Sequence, residues 1–233
     1  MSLGHGASLV RSNLNFVYDY SNLKSYPGSG GTLFNLINGN NVTLNGGYTY
    51  NTAGKYISFD GTQGAFAQEQ TGGLGNHGTN SFTYQFLVRP KTSTSVDDAT
   101  YARIYEQTGY PTSWHILSVI HNSNVPYFNF GGYSTGATGF SVDSANGITL
   151  NQWYFLTCIV DRTNNKVQLY VNSTLYESNV TLSGNVGTAN DIRFPSSYAE
   201  ISADYSIMLS YTKALTATEV LQNYNAVRGR YGI

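Results

Sequence analysis

The sequence predicts an all-β chain, an antiparallel β-sandwich of jelly-roll type closed by a short C-terminal helix. Three observations predict it. Short apolar segments with period-two alternation recur along the chain, separated by clusters of Gly, Asn, Ser and Thr. No helical periodicity intervenes between them, which argues against an α/β arrangement. The helical signal comes only at the end, where Thr216 and Glu219 have the spacing of a capping box.

The first strand is read at 14–20, ending near the turn Tyr26-Pro-Gly-Ser-Gly-Gly31. Short strands follow at 43–44, 48–50 and 56–59, the last stopping at Asp60-Gly61. In the segment 81–89, Phe82, Tyr84, Phe86 and Val88 share one face, a strand with one side in a core. Further strands are read at 102–107, 115–120 and 126–130. Segments 153–161 and 166–172 flank an Asn-rich loop and read as a hairpin. After a strand at 202–211 comes the helix, with Val220, Tyr224 and Val227 on one face and Gly229 placed to stop it. The chain divides into an N-terminal arm, 1–12, and a single domain, 13–233.

Composition narrows the function. The net charge is −1 and charged residues make up 11 % of the chain, against about 25 % in ordinary domains. Such a surface lacks the basic field that phosphates require, so nucleic acid is not an expected partner. There is no run of about eighteen apolar residues to span a membrane. The first residues show no hydrophobic leader, so work outside a cell would require another exit, such as release within a virus particle. The lone cysteine, Cys158, sits in an apolar run and is expected to be buried and inert.

The segments together resemble the concanavalin A-like lectin/glucanase superfamily, in its laminin-G-like jelly-roll branch, and a subgroup found among structural proteins of tailed bacteriophages. The residues that carry the resemblance are the Gly-rich start 1–6, Ser25-Tyr-Pro-Gly-Ser-Gly30, the Asn/Gly segment 36–44 and Phe59-Asp60-Gly61. Gln152-Trp153-Tyr154, Tyr170-Val171-Asn172 and the ending Leu221–Gly232 complete it. Where the subgroup carries a Trp after the Gly-rich turn, this chain has Leu33-Phe34. The resemblance implies a non-enzymatic virion protein, such as a capsid decoration or tail-associated protein, that binds other virion proteins. A symmetric homo-oligomer is compatible with that reading. The alternative it implies is a carbohydrate-binding, lectin-like module on the particle surface.

The chemistry of the residues fits adhesion better than bond-breaking. Glycosidases need two carboxyls about 5 Å or about 6.5–9.5 Å apart, and the Glu-x-Asp-x-x-Glu pattern of the related glucanases is missing. Glu200 and Asp204 would sit about 13 Å apart along a strand. No His pair has zincin spacing; His115 and His121 read as strand-end polar residues. Gly72–Gly78 reads as a surface loop. No catalytic residue is nominated. The superfamily leaves room for structural calcium on loop carboxylates such as Asp60, Asp97, Asp98, Asp143 and Asp191, with no ligand set specified and no other cofactor expected. For sugars, Tyr110, Trp114, Tyr127 and Tyr133 are the candidate aromatic surfaces. For attachment to a particle, the arm offers Leu3, His5, Leu9 and Arg11.

Overall fold

The computed structural model describes residues 7–62, 66–69, 74–93, 102–107, 113–122, 125–187, 192–196 and 201–233. The strands, in order, are β1 (Leu14–Asp19), β2 (Thr32–Leu33), β3 (Val42–Asn45), β4 (Tyr48–Asn51), β5 (Tyr56–Phe59) and β6 (Phe66–Glu69). Then come β7 (Phe82–Ser93), β8 (Ala102–Gln107), β9 (Trp114–Asn122), β10 (Val125–Tyr133) and β11 (Gly139–Asp143). The last are β12 (Tyr154–Asp161), β13 (Lys166–Val171), β14 (Thr174–Asn179), β15 (Ile192–Phe194) and β16 (Ile201–Tyr211), followed by the helix α1 (Ala217–Tyr231).

Two eight-stranded antiparallel sheets face each other, as the sequence predicts. The first runs β14-β13-β12-β7-β16-β5-β4, and β1 also pairs with β16. The second runs β11-β10-β9-β8-β15-β6-β3-β2. Phe82, Tyr84, Phe86 and Val88 point into the core between the sheets, packing with residues such as Phe16, Tyr18, Leu117, Phe128 and Leu156. Cys158 is buried there, and burial pushes its thiol pKa up, so it stays protonated.

The other face of β7 is covered too. Leu87 joins Phe155, Ile159, Ile207 and Leu209 in a second cluster, sealed by Val220, Tyr224 and Val227 of α1. The capping box is present: Thr216 accepts from the Glu219 backbone, and the Glu219 carboxylate reaches back to the Thr216 N–H. The helix does not stop at Gly229. It runs on to Tyr231, and Gly232 supplies the left-handed cap at φ 68°. Tyr231 packs its ring 5.0 Å from Trp153 and its hydroxyl against Ser206. That anchor holds the last turn helical past the glycine.

Beneath α1 lies a closed polar network. The side chain of Asn223, fully buried, accepts from the Val10 N–H (2.8 Å) and donates to Gln85 Oε1 (2.7 Å) and the Tyr211 hydroxyl (2.9 Å). The Tyr211 hydroxyl donates to the Val10 carbonyl, and Gln85 donates to Thr157. Residues 8–12, read from sequence as part of an arm, are thus laid against the domain, with Gln222 also bonding the Ser8 carbonyl.

The Asn-rich segment after β2 has a structural task. Asn35 Oδ1 accepts from the Val17 N–H, Leu36 N–H donates to the Val17 carbonyl, and Asn38 donates to the Asn15 carbonyl. These bonds satisfy the open edge of β1, which would otherwise be a pairing liability.

Candidate functional site

Of the two outer sheet faces, the first is roofed by α1. The second carries an open groove of about 570 Å³. Its lining includes Arg103, Trp114, Ile116, Asn129, Gly131, Tyr133 and Ser141. The strand register explains how residues so far apart in sequence meet. Trp114 lies opposite Tyr133, and Tyr133 opposite Gly139. Two residues along, Ile116 lies opposite Gly131, and Gly131 opposite Ser141. Two further, Arg103 pairs with Ser118, Ser118 with Asn129, and Asn129 with Asp143. Side chains two apart on a strand share a face. The groove therefore has an aromatic wall, a floor opened by a glycine, and a polar wall.

The aromatic wall is the Trp114–Tyr133 pair, with ring centroids 5.5 Å apart. Tyr133 is 46 % exposed. On the polar wall, the Asn129 amide donates both its hydrogens, to Ser141 Oγ (2.7 Å) and Asp143 Oδ1 (2.6 Å). Both residues line the groove, and among the described residues neither the Asn129 oxygen nor the Ser141 hydroxyl proton has a hydrogen-bond partner. Arg103 donates through Nη1 to Glu106 (3.1 Å), while its buried Nε has no partner. Glu106 is 4 % exposed and also faces Arg193 at 3.8 Å.

Behind the groove, two histidines lie in the core between the sheets. His115 is fully buried and shares a hydrogen bond with the Tyr105 hydroxyl (3.0 Å). His77 shares one with Tyr84 (2.8 Å) and stacks on Phe82. Burial pulls the His77 pKa down to about 3, and burial together with His77 pulls that of His115 well below its ordinary value. His115 is thus no strand-end polar residue; the pairing of β8 with β9 brings Tyr105 to it inside the core. Leu74 and His77 are buried as well, so this end of the glycine-rich segment is not a surface loop.

The sequence-predicted sugar residues separate. Trp114 and Tyr133 meet at the groove. Tyr127 stands six residues from Tyr133 on the same face of β10, about 20 Å away, outside the lining. Tyr110 lies outside the described residues, as do Leu3, His5, Asp97, Asp98, Asp191 and Glu200. Leu9 packs partly on the domain's own second cluster, and Arg11 is exposed. Asp204 is wholly buried and held by Arg89 (2.7 Å) and Lys91 (2.5 Å), a structural charge. Asp60 accepts from Thr62 in a local turn, bonds that hold its carboxyl below the usual range. Among the described residues, no three metal-ligating side chains cluster. Sequence reasoning missed Arg103, Asn129, Gly131 and Ser141; the one signal for them was the Gly131-Gly132 pair inside a strand pattern, a mark of close approach.

The fold recurs in binding domains of known structure. The chain superposes on the botulinum neurotoxin serotype G binding domain with a TM-score of 0.71 at 17 % identity, covering 90 % of this chain and 50 % of that one. It superposes on the binding domain of Paraclostridial Mosquitocidal Protein 1 with a TM-score of 0.70 at 14 % identity, covering 92 % and 52 %. For the serotype D neurotoxin binding domain the TM-score is 0.68 at 11 % identity, covering 92 % and 52 %. The chain thus spans about half the length of these structures. No curated protein matches it in sequence. The family model Laminin_G_3, of the concanavalin A-like lectin/glucanases superfamily, matches residues 59–221, well over half of the chain. Two facing antiparallel sheets, a C-terminal helix and this match agree: the chain belongs to the concanavalin A-like lectin/glucanase superfamily.

Proposed function

We propose that the chain is a non-catalytic binding module and that the groove on its second sheet holds a carbohydrate. One observation carries this reading: a pair of aromatic rings faces open hydrogen-bonding groups across a glycine floor. Flat sugar faces pack on aromatic rings while hydroxyls need fixed donors and acceptors, and the groove offers both. The structural neighbours, each a binding domain, support a binding role.

The carboxylates beside the groove speak against hydrolysis. Glu106 on β8 is engaged by Arg103, and Asp143 on β11 by Asn129. Three inter-strand spacings separate their backbones, about 14 Å, beyond the reach of a glycosidase pair.

The setting we propose is the surface of a tailed-phage particle, a reading supported by the chain's start and end motifs. There the module would bind glycans and be held by other virion proteins. Within that setting, the groove favours glycan attachment over decoration alone.

A glycan array tests the reading. The full chain should bind a subset of glycans. Trp114→Ala should weaken that binding at least about tenfold, equivalent to about 1.4 kcal/mol, with little change in the unfolding transition. A blank array, or undiminished binding by the variant, would refute it.

A further inference from the structure

Building on the carbohydrate reading, we infer that the groove selects a neutral, unbranched oligosaccharide of two to three units laid across the strands, and that Gly131 makes the room for it. Charge comes first. Of the residues that line the groove, Arg103 alone is charged, and it is paired with the buried Glu106 behind it. Glu106 faces Arg103 and Arg193, at 3.1 and 3.8 Å, and Asp143 accepts from Asn129 at 2.6 Å. The groove thus offers no unpaired cation to an acidic sugar, and its lining holds no carboxylate for a basic one. An acidic sugar would have to compete with Glu106 for Arg103. A neutral hydroxyl needs only the Asn129 oxygen, the Ser141 hydroxyl and the edge of that guanidinium turned away from Glu106.

Length follows from the lining. It reaches from Arg103 on β8 to Ser141 on β11. Three inter-strand spacings make about 14 Å, the length of two to three pyranose residues. Width follows from the register. The aromatic and polar walls stand four residues apart on β10, about 13 Å between backbones, and side chains from both walls narrow the slot to one ring. A branch would have to leave the face.

Gly131 lies midway, between Tyr133 and Asn129 on the same face. Its φ lies outside the left-handed region, so backbone conformation does not demand glycine there. Space does. A Cβ at Gly131 would meet the Phe140 carbonyl at 3.0 Å, Asn129 Oδ1 at 3.5 Å and Ser141 Cβ at 3.6 Å. Any longer side chain would project into the slot and screen the Asn129 acceptor.

The test is a calorimetric titration of the full chain. The probes are neutral linear gluco-, manno- and galacto-oligosaccharides of one to five units, with oligogalacturonates and sialyllactose as acidic counterparts. Affinity for a neutral series should rise at least about tenfold from one unit to three and then level off. Acidic probes should bind at least about tenfold more weakly, and neutral binding should be insensitive to salt. Gly131→Val should abolish binding, and Gly131→Ala, which adds only the Cβ, should weaken it; far-ultraviolet circular dichroism monitors the fold of both. The inference is overturned if acidic probes bind more tightly, if a monosaccharide binds as well as a trisaccharide, or if a folded Gly131→Val chain binds normally. If no saccharide of either class binds, the carbohydrate reading fails and this inference falls with it.

Discussion

Below pH 6.5 the fold is expected to lose stability at up to about 2.7 kcal/mol per pH unit, because two core histidines stay neutral when folded. Above pH 6.5, His77 and His115 are neutral in both states and cost nothing. Below it the unfolded chain takes up two protons that the folded core refuses, since burial holds both folded pKa values far lower, that of His77 at about 3. The loss therefore begins at the ordinary histidine pKa and accumulates as pH falls toward the folded value. By pH 5 His77 alone accounts for about 2 kcal/mol, and His115 adds to it in the same direction, a large part of the roughly 5–15 kcal/mol typical of a domain. The carboxylates Asp60, Glu177 and Glu219, whose hydrogen bonds depress their pKa values, act in a separate window. They contribute above their ordinary range and lose that contribution only below about pH 4.5. Denaturant unfolding at pH 8, 6.5 and 5 separates the two. His77→Phe, which places an apolar ring where the imidazole stacks on Phe82, should roughly halve the slope between pH 6.5 and 5. An unfolding midpoint that stays constant from pH 8 to 5 would contradict this account of the core.

Asn223→Ala should destabilise the fold by about 3–5 kcal/mol. The side chain completes the bonding of three buried groups: the Val10 N–H, Gln85 Oε1 and the Tyr211 hydroxyl. Removing it leaves the Val10 N–H and the Gln85 oxygen unsatisfied, at about 1–3 kcal/mol each, and opens a small void. At about 2–4 °C per kcal/mol for a chain of this size, the melting temperature should fall by about 6–20 °C. The loss should be local first: amide exchange in residues 8–12 should accelerate before that of β7, because Asn223 ties this segment to the helix. A change under about 1 kcal/mol would show that water or neighbouring groups replace the amide.

Asn223 also shows what a motif in the sequence was recording. The ending Leu-x-Asn-Tyr-Asn-Ala reads as part of a resemblance; in the structure its first Asn is the hub between α1, β7, β16 and the N-terminal segment. The long strands and the amphipathic helix were legible because period two and the capping box are local signals. Five strands were not: β2 and β15 are too short to show a period, β6 and β14 are polar, and β11 follows a glycine-rich turn. Half of the groove was legible for the same reason. Trp114 and Tyr133 announce themselves as aromatics near Gly-rich loops, but Arg103, Asn129 and Ser141 come together only through the register of four strands. His115 was misread because its partner, Tyr105, is supplied by a neighbouring strand and not by its own.

The chain has two tryptophans, and the fold places them on opposite outer faces. Trp114 lines the groove, whereas Trp153 packs on Tyr231 of α1 and Tyr56 of β5. Each can be read alone by fluorescence, in Trp153→Phe and Trp114→Phe chains titrated with a glycan that the native chain binds. The groove account predicts a saturable change in the emission of Trp114 and none in that of Trp153. A saturable change confined to Trp153 would put the ligand on the helix-covered face and contradict it.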